Sequence, residues 1–358
     1  GFGILILATI SFNISLVKFA NTYYFLLHQI IYGLIPGLFL AIIFFKIPLT
    51  LLKKIALFLF VANIIILLLV FLPGISFEAQ GANRWIKIWK VVFQPSEFLK
   101  LTTILYLAAW LAKKNNHDLK KGLKQTKKDY TFKENLLPFL FILAVLTLIF
   151  YHQPDISTLG LIILISLIIY FAAGTPLWHT VLVILMGAGG LAFLIKSAFY
   201  RLDRLTVFLR PETDPLGIGY QMKQSLIAIG SGHVFGQGLG MSSQKFGFLP
   251  NPMSDAIFSI FAEETGFLGS LILIILFLLF LWRGIKISKN SDDNFSKLAA
   301  LGITFWITIQ AFINIGSLIG LLPLTGIPLP FISYGGSHFV AELMGAAILL
   351  NISKSIKI

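Results

Sequence analysis

About ten separate apolar runs, most of them near the ~20 residues that a helix needs to cross the hydrocarbon of a bilayer, dominate this chain and leave few folds open to it. They lie at roughly 1–17, 23–45, 50–72, 97–112, 136–151, 157–173, 176–196, 256–282, 299–321 and 329–350. With 57% hydrophobic and only 12% charged side chains over 358 residues, the chain lacks the polar surface that a water-soluble fold of this size carries. Long continuous runs rather than short alternating strands exclude a β-barrel. The expected fold class is an all-α polytopic integral membrane protein of about ten transmembrane helices.

The formal charge of +13 does not point to nucleic acid, because the basic residues sit in short connections between apolar runs. The segment 113–135 carries eight lysines, among them Lys113, Lys120 and Lys127, against Asp118, Asp129 and Glu134, and reads as cytoplasmic. Arg283, Lys286, Lys289 and Lys297 lie four spans later, and Lys354 and Lys357 two spans after those, so the parity agrees and puts both termini inside. The same parity puts 73–96, 152–156, 197–254 and 322–328 outside. The long outer loop, 197–254, shows no obvious secondary structure and is a functional candidate by its length. No cysteine is present, which removes disulfides and thiol-based redox or metal chemistry. The opening run Gly1–Val17 has neither a basic stretch before it nor a small-residue cleavage site after it, so it reads as a first span whose cytoplasmic stub is missing, not as a signal peptide.

Four polar groups fall on the outer side. In the first, Asn83-Arg84-Trp85 precedes Gln94-Pro95-Ser96-Glu97, where Pro95 and Ser96 suit a helix start and Glu97 its first turn. Glu97 and Lys100 share a helical face and can form a helix-end ion pair; Trp85 and Trp89 suit interface anchors. The second, Gln153-Pro154-Asp155, suits a turn or cap. The third runs from Tyr220 to Gly269. Its dense glycines, including Gly236, Gly238 and Gly240, would let backbone approach an anionic headgroup. Asp255 opens a long apolar helix and has helix capping as its plain alternative, while Glu263 and Glu264, deeper in that helix, require partners or a wet cavity. The fourth, Leu322 to Ser337, holds prolines and glycines at a membrane boundary, and irregular backbone there has to be buried in protein or line a polar cavity.

In this order and spacing the four groups resemble the shape, elongation, division and sporulation family of peptidoglycan glycosyltransferases, from Asn83 to Ser353. The strongest matches are Leu324-Thr325-Gly326-Ile327-Pro328-Leu329-Pro330-Phe331-Ile332-Ser333-Tyr334-Gly335-Gly336-Ser337 and Gln94-Pro95-Ser96-Glu97. The run Gln224 to Gly232 with Gln244-Lys245-Phe246-Gly247 is more similar to the FtsW-like division branch. The resemblance implies one family-type membrane domain over 1–358, a ten-helix bundle in the bacterial cytoplasmic membrane at the division septum. It would polymerise lipid II into glycan strands at the outer face. It also implies Asp255 as the catalytic carboxylate, acting as general base on the acceptor hydroxyl. Arg84, Lys100 and Lys245 are the candidate cations for the pyrophosphate, with Arg201, Arg204 and Arg210 in reserve. Gln244, Ser333, Gly335 and Gly336 are further substrate-binding candidates, and Glu97, Asp155, Asn251 and Glu263 supporting polar residues. The cofactor is left open, with a divalent cation (Mg or Mn) as the candidate that could share the role of these cations. Expected partners are lipid II, a class B penicillin-binding transpeptidase, other division proteins and membrane lipids. The chain departs from the family pattern at Asn251, where the family carries Glu, at Ser254 for Thr, at His233 and Ser157 for Gly, and at His338, where a small residue is usual. Two other functions fit the same composition: a lipid II flippase, which needs polar groups across the whole membrane depth, and a non-catalytic division scaffold.

Overall fold

Each of the ten apolar runs contains a helix in the computed structural model, the last of them only from Gly336 onward; the structure describes residues 2–74, 76–79, 82–88, 91–120, 135–196, 199–210, 213–214 and 217–356. Five helices are long and apolar enough to cross a membrane: Tyr24–Lys46, Leu49–Phe71, Ile257–Lys289, Asn294–Leu318 and Gly336–Lys354. Shorter apolar helices accompany them at Gly3–Phe12, Leu137–His152, Ile156–Ala172 and Leu177–Gly190. The protein is a multi-pass, mostly helical membrane protein. Most of the basic connection expected at 113–135 lies outside the described residues, as do Trp89 and the side chain of Arg201.

The chain divides into two compact units. One comprises Gly1–Leu38, Ile195–Leu281 and Ile307–Glu342; the other comprises Phe39–Leu194, Trp282–Trp306 and Leu343–Ile358.

In the second unit, α4 (Leu49–Leu68), α5 (Pro95–Lys120), α6 (Leu137–His152) and α7 (Ile156–Ala172) surround a core of Phe60, Leu67, Leu99, Leu146, Phe150 and Leu159. Lipid tails are as apolar as leucine, so close backbone approach rather than escape from water holds such helices together. Gly302 of α12 (Asn294–Leu318) shows it: a Cβ there would lie 2.6 Å from Ile104 and Ile169. Within 73–96 the chain forms a three-stranded antiparallel sheet, β1 (Ser76–Ala79), β2 (Ala82–Ile88) and β3 (Val91–Phe93). Its alternation is readable in hindsight, with Ile86 buried and its neighbour Lys87 exposed.

The first unit contains α1 (Phe2–Phe19), α2 (Tyr24–Gln29), a π-helical turn at Ile30–Leu34 and the long loop 197–254. That loop is not without secondary structure. It contains α9 (Phe199–Leu209) and α10 (Ile218–Ser231). Phe199, Leu202, Leu205 and Phe208 recur every three residues between charged ones, the pattern of an amphipathic helix; its apolar stripe is too short and too interrupted to register as a span.

Helix α11 (Ile257–Lys289) is broken at Gly266, whose φ of 68° and ψ of −165° are open essentially to glycine alone. The break frees four backbone groups, and the glycine-rich loop satisfies all of them. Gln237 N donates to Glu263 O at 2.9 Å and Gly238 N to Glu264 O at 3.1 Å, while Phe267 N and Leu268 N donate to His233 O and Val234 O at 2.9 and 3.1 Å. A Cβ on Gly266 would sit 2.3 Å from Gly236 N, and one on Gly236 would sit 2.2 Å from Glu264 O. Glycine at 236 therefore serves an approach of backbone to backbone, not the approach to a ligand that composition alone suggests. His233 has a left-handed φ of 47°, a conformation that glycine adopts without steric cost. Gly266→Ala is expected to cost about 2–4 kcal/mol through strain and overlap, read as a lower thermal unfolding midpoint of the detergent-purified protein. An unchanged midpoint would mean that the joint does not contribute.

Candidate functional site

The break positions Glu263 and Glu264 one turn inside α11, where the sequence required partners for them. Ser242 Oγ donates to Glu263, as do Ser243 N and Ser243 Oγ, both at 3.0 Å. Glu264 pairs with Lys245 at 3.0 Å; Gly240 O accepts a second bond from the same ammonium at 2.6 Å. Lys245 and Glu264 are both buried. The two glutamates thereby pin the 240–245 segment to the helix, and the pair keeps either charge from being left alone in low dielectric. Gln244 is half-buried, and its Oε1 is enclosed without a hydrogen-bond partner.

Upstream of α11 the chain makes a turn closed on Asn251, whose carbonyl accepts from Ser254 N at 3.2 Å and Ala256 N at 3.3 Å. Asn251 has a φ of 50°, a region that asparagine tolerates better than most side chains. The helix itself starts at Ile257, two residues after Asp255, so Asp255 belongs to the turn rather than opening the helix.

Three successive carbonyls of this turn are each held from elsewhere in the unit. Met253 O accepts from Tyr334 N at 2.8 Å, Ser254 O from Ser333 Oγ at 2.6 Å, and Asp255 O from Asn314 Nδ2 at 2.8 Å. Asn314, on α12, also donates to Ile327 O at 2.8 Å and so ties the turn to the Pro-rich segment. The Asp255 carboxylate, half-buried, lies beside Gly326, where an added Cβ would come within 3.6 Å of its Oδ2. A cavity of about 410 Å³ opens alongside, lined among others by Lys18, Lys245, Asn251, Ser254 and Tyr334, with apolar walls from Ile14, Leu249 and Met253.

The remaining candidates have defined places. Gly335 N donates to Gln29 Oε1 at 3.0 Å, and Gly336 starts α13 (Gly336–Lys354) against the Tyr32 backbone. Arg204 donates to Leu324 O at 3.2 Å. In the second unit, Lys100 pairs with Glu97 at 2.7 Å and faces the Trp306 ring at 5.4 Å, both partners being buried, which is the helix-end ion pair. Arg84 donates to Pro154 O. Asp155 caps α7, accepting from Thr158 N at 3.3 Å. The sequence reading missed Asn314, Gln310 and Glu342; polar side chains inside apolar helices were the available signal.

The profile of the FtsW/RodA/SpoVE cell cycle proteins matches residues 1–358. The chain belongs to that family. Among FtsW/RodA/SpoVE relatives, stage V sporulation protein E of Bacillus subtilis (strain 168) is 42% identical over 289 residues, 81% of this chain and 76% of that protein. The probable peptidoglycan glycosyltransferase FtsW of Geobacter sp. (strain M18) is 36% identical over 352 residues, 98% and 93% of the two chains. Among solved structures, a chain of a peptidoglycan synthase complex that coordinates polymerization and crosslinking superposes with a TM-score of 0.72 at 25% identity, covering 99% of this chain and 98% of that one. Thermus thermophilus rod shape determining protein RodA shares the fold, with a TM-score of 0.65 at 24% identity and coverage of 100% and 98%.

Proposed function

We propose that this FtsW/RodA/SpoVE protein is a peptidoglycan glycosyltransferase that polymerises lipid II at the outer face of the bacterial cytoplasmic membrane, with Asp255 as its general base. The observation that carries the assignment of Asp255 is the turn 253–255, whose three consecutive carbonyls are fixed by three different partners beside a cavity with polar and apolar walls. A base has to be held within hydrogen-bond reach of the proton it takes, and a turn anchored in this way holds one.

In the proposed step the Asp255 carboxylate takes the proton of the acceptor sugar hydroxyl. The hydroxyl oxygen forms the new bond to the donor's anomeric carbon, and the bond from that carbon to the pyrophosphate oxygen breaks, its electron pair leaving with the lipid pyrophosphate. Lys18 and Lys245 are cations of the first unit that line the cavity, the charge of Lys245 being shared with Glu264. Arg84 and Lys100 are the corresponding candidates of the second unit. Among the described residues no three His, Asp or Glu side chains gather to hold a metal; a divalent cation is proposed to arrive with the pyrophosphate, since Mg²⁺ is commonly bound by one or two carboxylates together with substrate phosphates.

Both termini are proposed to lie inside on the charge parity of the connections; within the second unit, contacts support that the connection around 46–49, the segment near Asp293 and the end of α13 share one side of the membrane. Lys53 pairs with Asp293 at 3.7 Å, and Asn351 Nδ2 donates to Phe44 O at 2.9 Å and Ile47 O at 2.7 Å. A class B penicillin-binding transpeptidase and other division proteins at the septum are the proposed partners.

The test uses purified protein in detergent, with and without a class B transpeptidase, supplied with labelled lipid II and Mg²⁺ or Mn²⁺. Detergent has no two leaflets, so a flippase yields no signal. A ladder of polymer on a gel is expected; lipid II left unchanged by protein and partner together would remove the enzymatic reading.

A further inference from the structure

The segment 327–335 holds the Asp255 turn, and something must in turn hold that segment. Its backbone N–H groups can be counted. Pro328 and Pro330 have none. Ile327 N goes to Thr325 Oγ1 at 3.5 Å, Leu329 N to Ser333 Oγ at 2.8 Å, Ile332 N and Ser333 N to Leu329 O at 3.3 and 3.0 Å, Tyr334 N to Met253 O, and Gly335 N to Gln29 Oε1. Phe331 N is left, on a residue with a left-handed φ of 63°, a conformation worth about 1–3 kcal/mol of strain that persists only where its surroundings impose it. Its acceptor is the Glu342 carboxylate, at 2.7 Å. Glu342 also accepts from Gln310 Nε2 at 3.3 Å, and that amide donates to Pro328 O at 3.0 Å.

One turn earlier on α13, on the same helical face, His338 donates from Nε2 to Ser333 O at 3.0 Å. Glu342 is fully buried and His338 is 5% exposed. Two ionisable side chains inside an apolar helix are costly unless they are bonded, and these two bond the backbone of one segment. His338 is also a position where the family usually carries a small residue.

We propose that Glu342 and His338 are positioning residues for Asp255: they fix the shape of 328–333, and Ser333 Oγ and Tyr334 N pass that shape on to the carbonyls of Ser254 and Met253. The proposal rests on the reading of Asp255 as the base. Neither residue touches the reacting atoms; each acts through the backbone it holds.

Glu342→Leu removes the acceptor of Phe331 N, whereas Glu342→Gln keeps an oxygen there. Two quantities are read on the full-length protein: amide hydrogen exchange, and the steady-state rate of lipid II polymerisation against lipid II concentration. In Glu342→Leu, exchange across 329–335 is expected to rise at least tenfold with the rest of the chain unchanged. Its kcat is expected to fall about 10–100-fold, the scale that a misplacement of about 1 Å produces, with KM within about threefold. Glu342→Gln is expected within about threefold of wild type in both readouts. Should Glu342→Leu not fold, His338→Leu, which removes the bond to Ser333 O, carries the same comparison. Unchanged exchange in a folded variant overturns the clamp. A loss confined to KM, or Glu342→Gln falling as far as Glu342→Leu, overturns positioning through this hydrogen bond. A wild-type protein that makes no polymer overturns the reading of function, and exchange then judges the clamp by itself.

Discussion

Lys245→Met is expected to lower the stability of the purified protein by about 3–5 kcal/mol, the usual consequence of removing one partner of a buried ion pair. The ammonium sits 3.0 Å from Glu264, and neither side chain reaches solvent. With Lys245 gone, Thr9 Oγ1 at 3.5 Å is the side-chain hydrogen bond that the Glu264 carboxylate keeps among the described residues. Removing both charges avoids the stranded carboxylate, so the double variant Lys245→Met with Glu264→Met is expected to regain part of the loss. Thermal unfolding of wild type, Lys245→Met, Glu264→Met and the double variant in one detergent checks this. A double variant no more stable than Lys245→Met would show that packing of the lysine stem, not the ion pair, carries the effect.

The helices were legible because a bilayer imposes a length, and each apolar run found by length contains a helix. What lay between the runs was harder to read. The helix Phe199–Leu209 and the strands Ser76–Phe93 carry period-three and period-two patterns too brief to stand out beside the spans. The break at Gly266 was hidden for a different reason. A lone glycine in an apolar run is compatible with an unbroken helix, and only the arrival of Gln237 and Gly238 at the freed carbonyls shows why glycine is required there.

At the site, local sequence gave residue types and tertiary structure gave their partners. Glu263 and Glu264 needed company, and Ser242, Ser243 and Lys245 supply it from one glycine-rich segment. Asp155 and the pair of Glu97 with Lys100 took the simple local roles that their spacing suggested. Asn314 lies 59 residues from Asp255, and no local pattern connects them. Ser333 and Tyr334 stood out for their motif, yet what the structure gives them is a hold on Ser254 and Met253.

Asp255→Asn keeps the size of the side chain and leaves the three backbone bonds of the turn in place, so a folded protein with an unchanged unfolding midpoint is expected. It removes the proton acceptor. Losing a general base costs about 10²–10⁴-fold in rate; if Asp255 is that base, the loss appears in kcat at saturating substrate. The direct measurement is the initial rate at which the purified wild type and Asp255→Asn, each with a class B transpeptidase and a divalent cation, convert labelled lipid II into polymer on a gel. The account predicts a ladder from wild type and a rate at least a hundredfold lower from an equally stable Asp255→Asn; ladders of equal intensity from the two would contradict it.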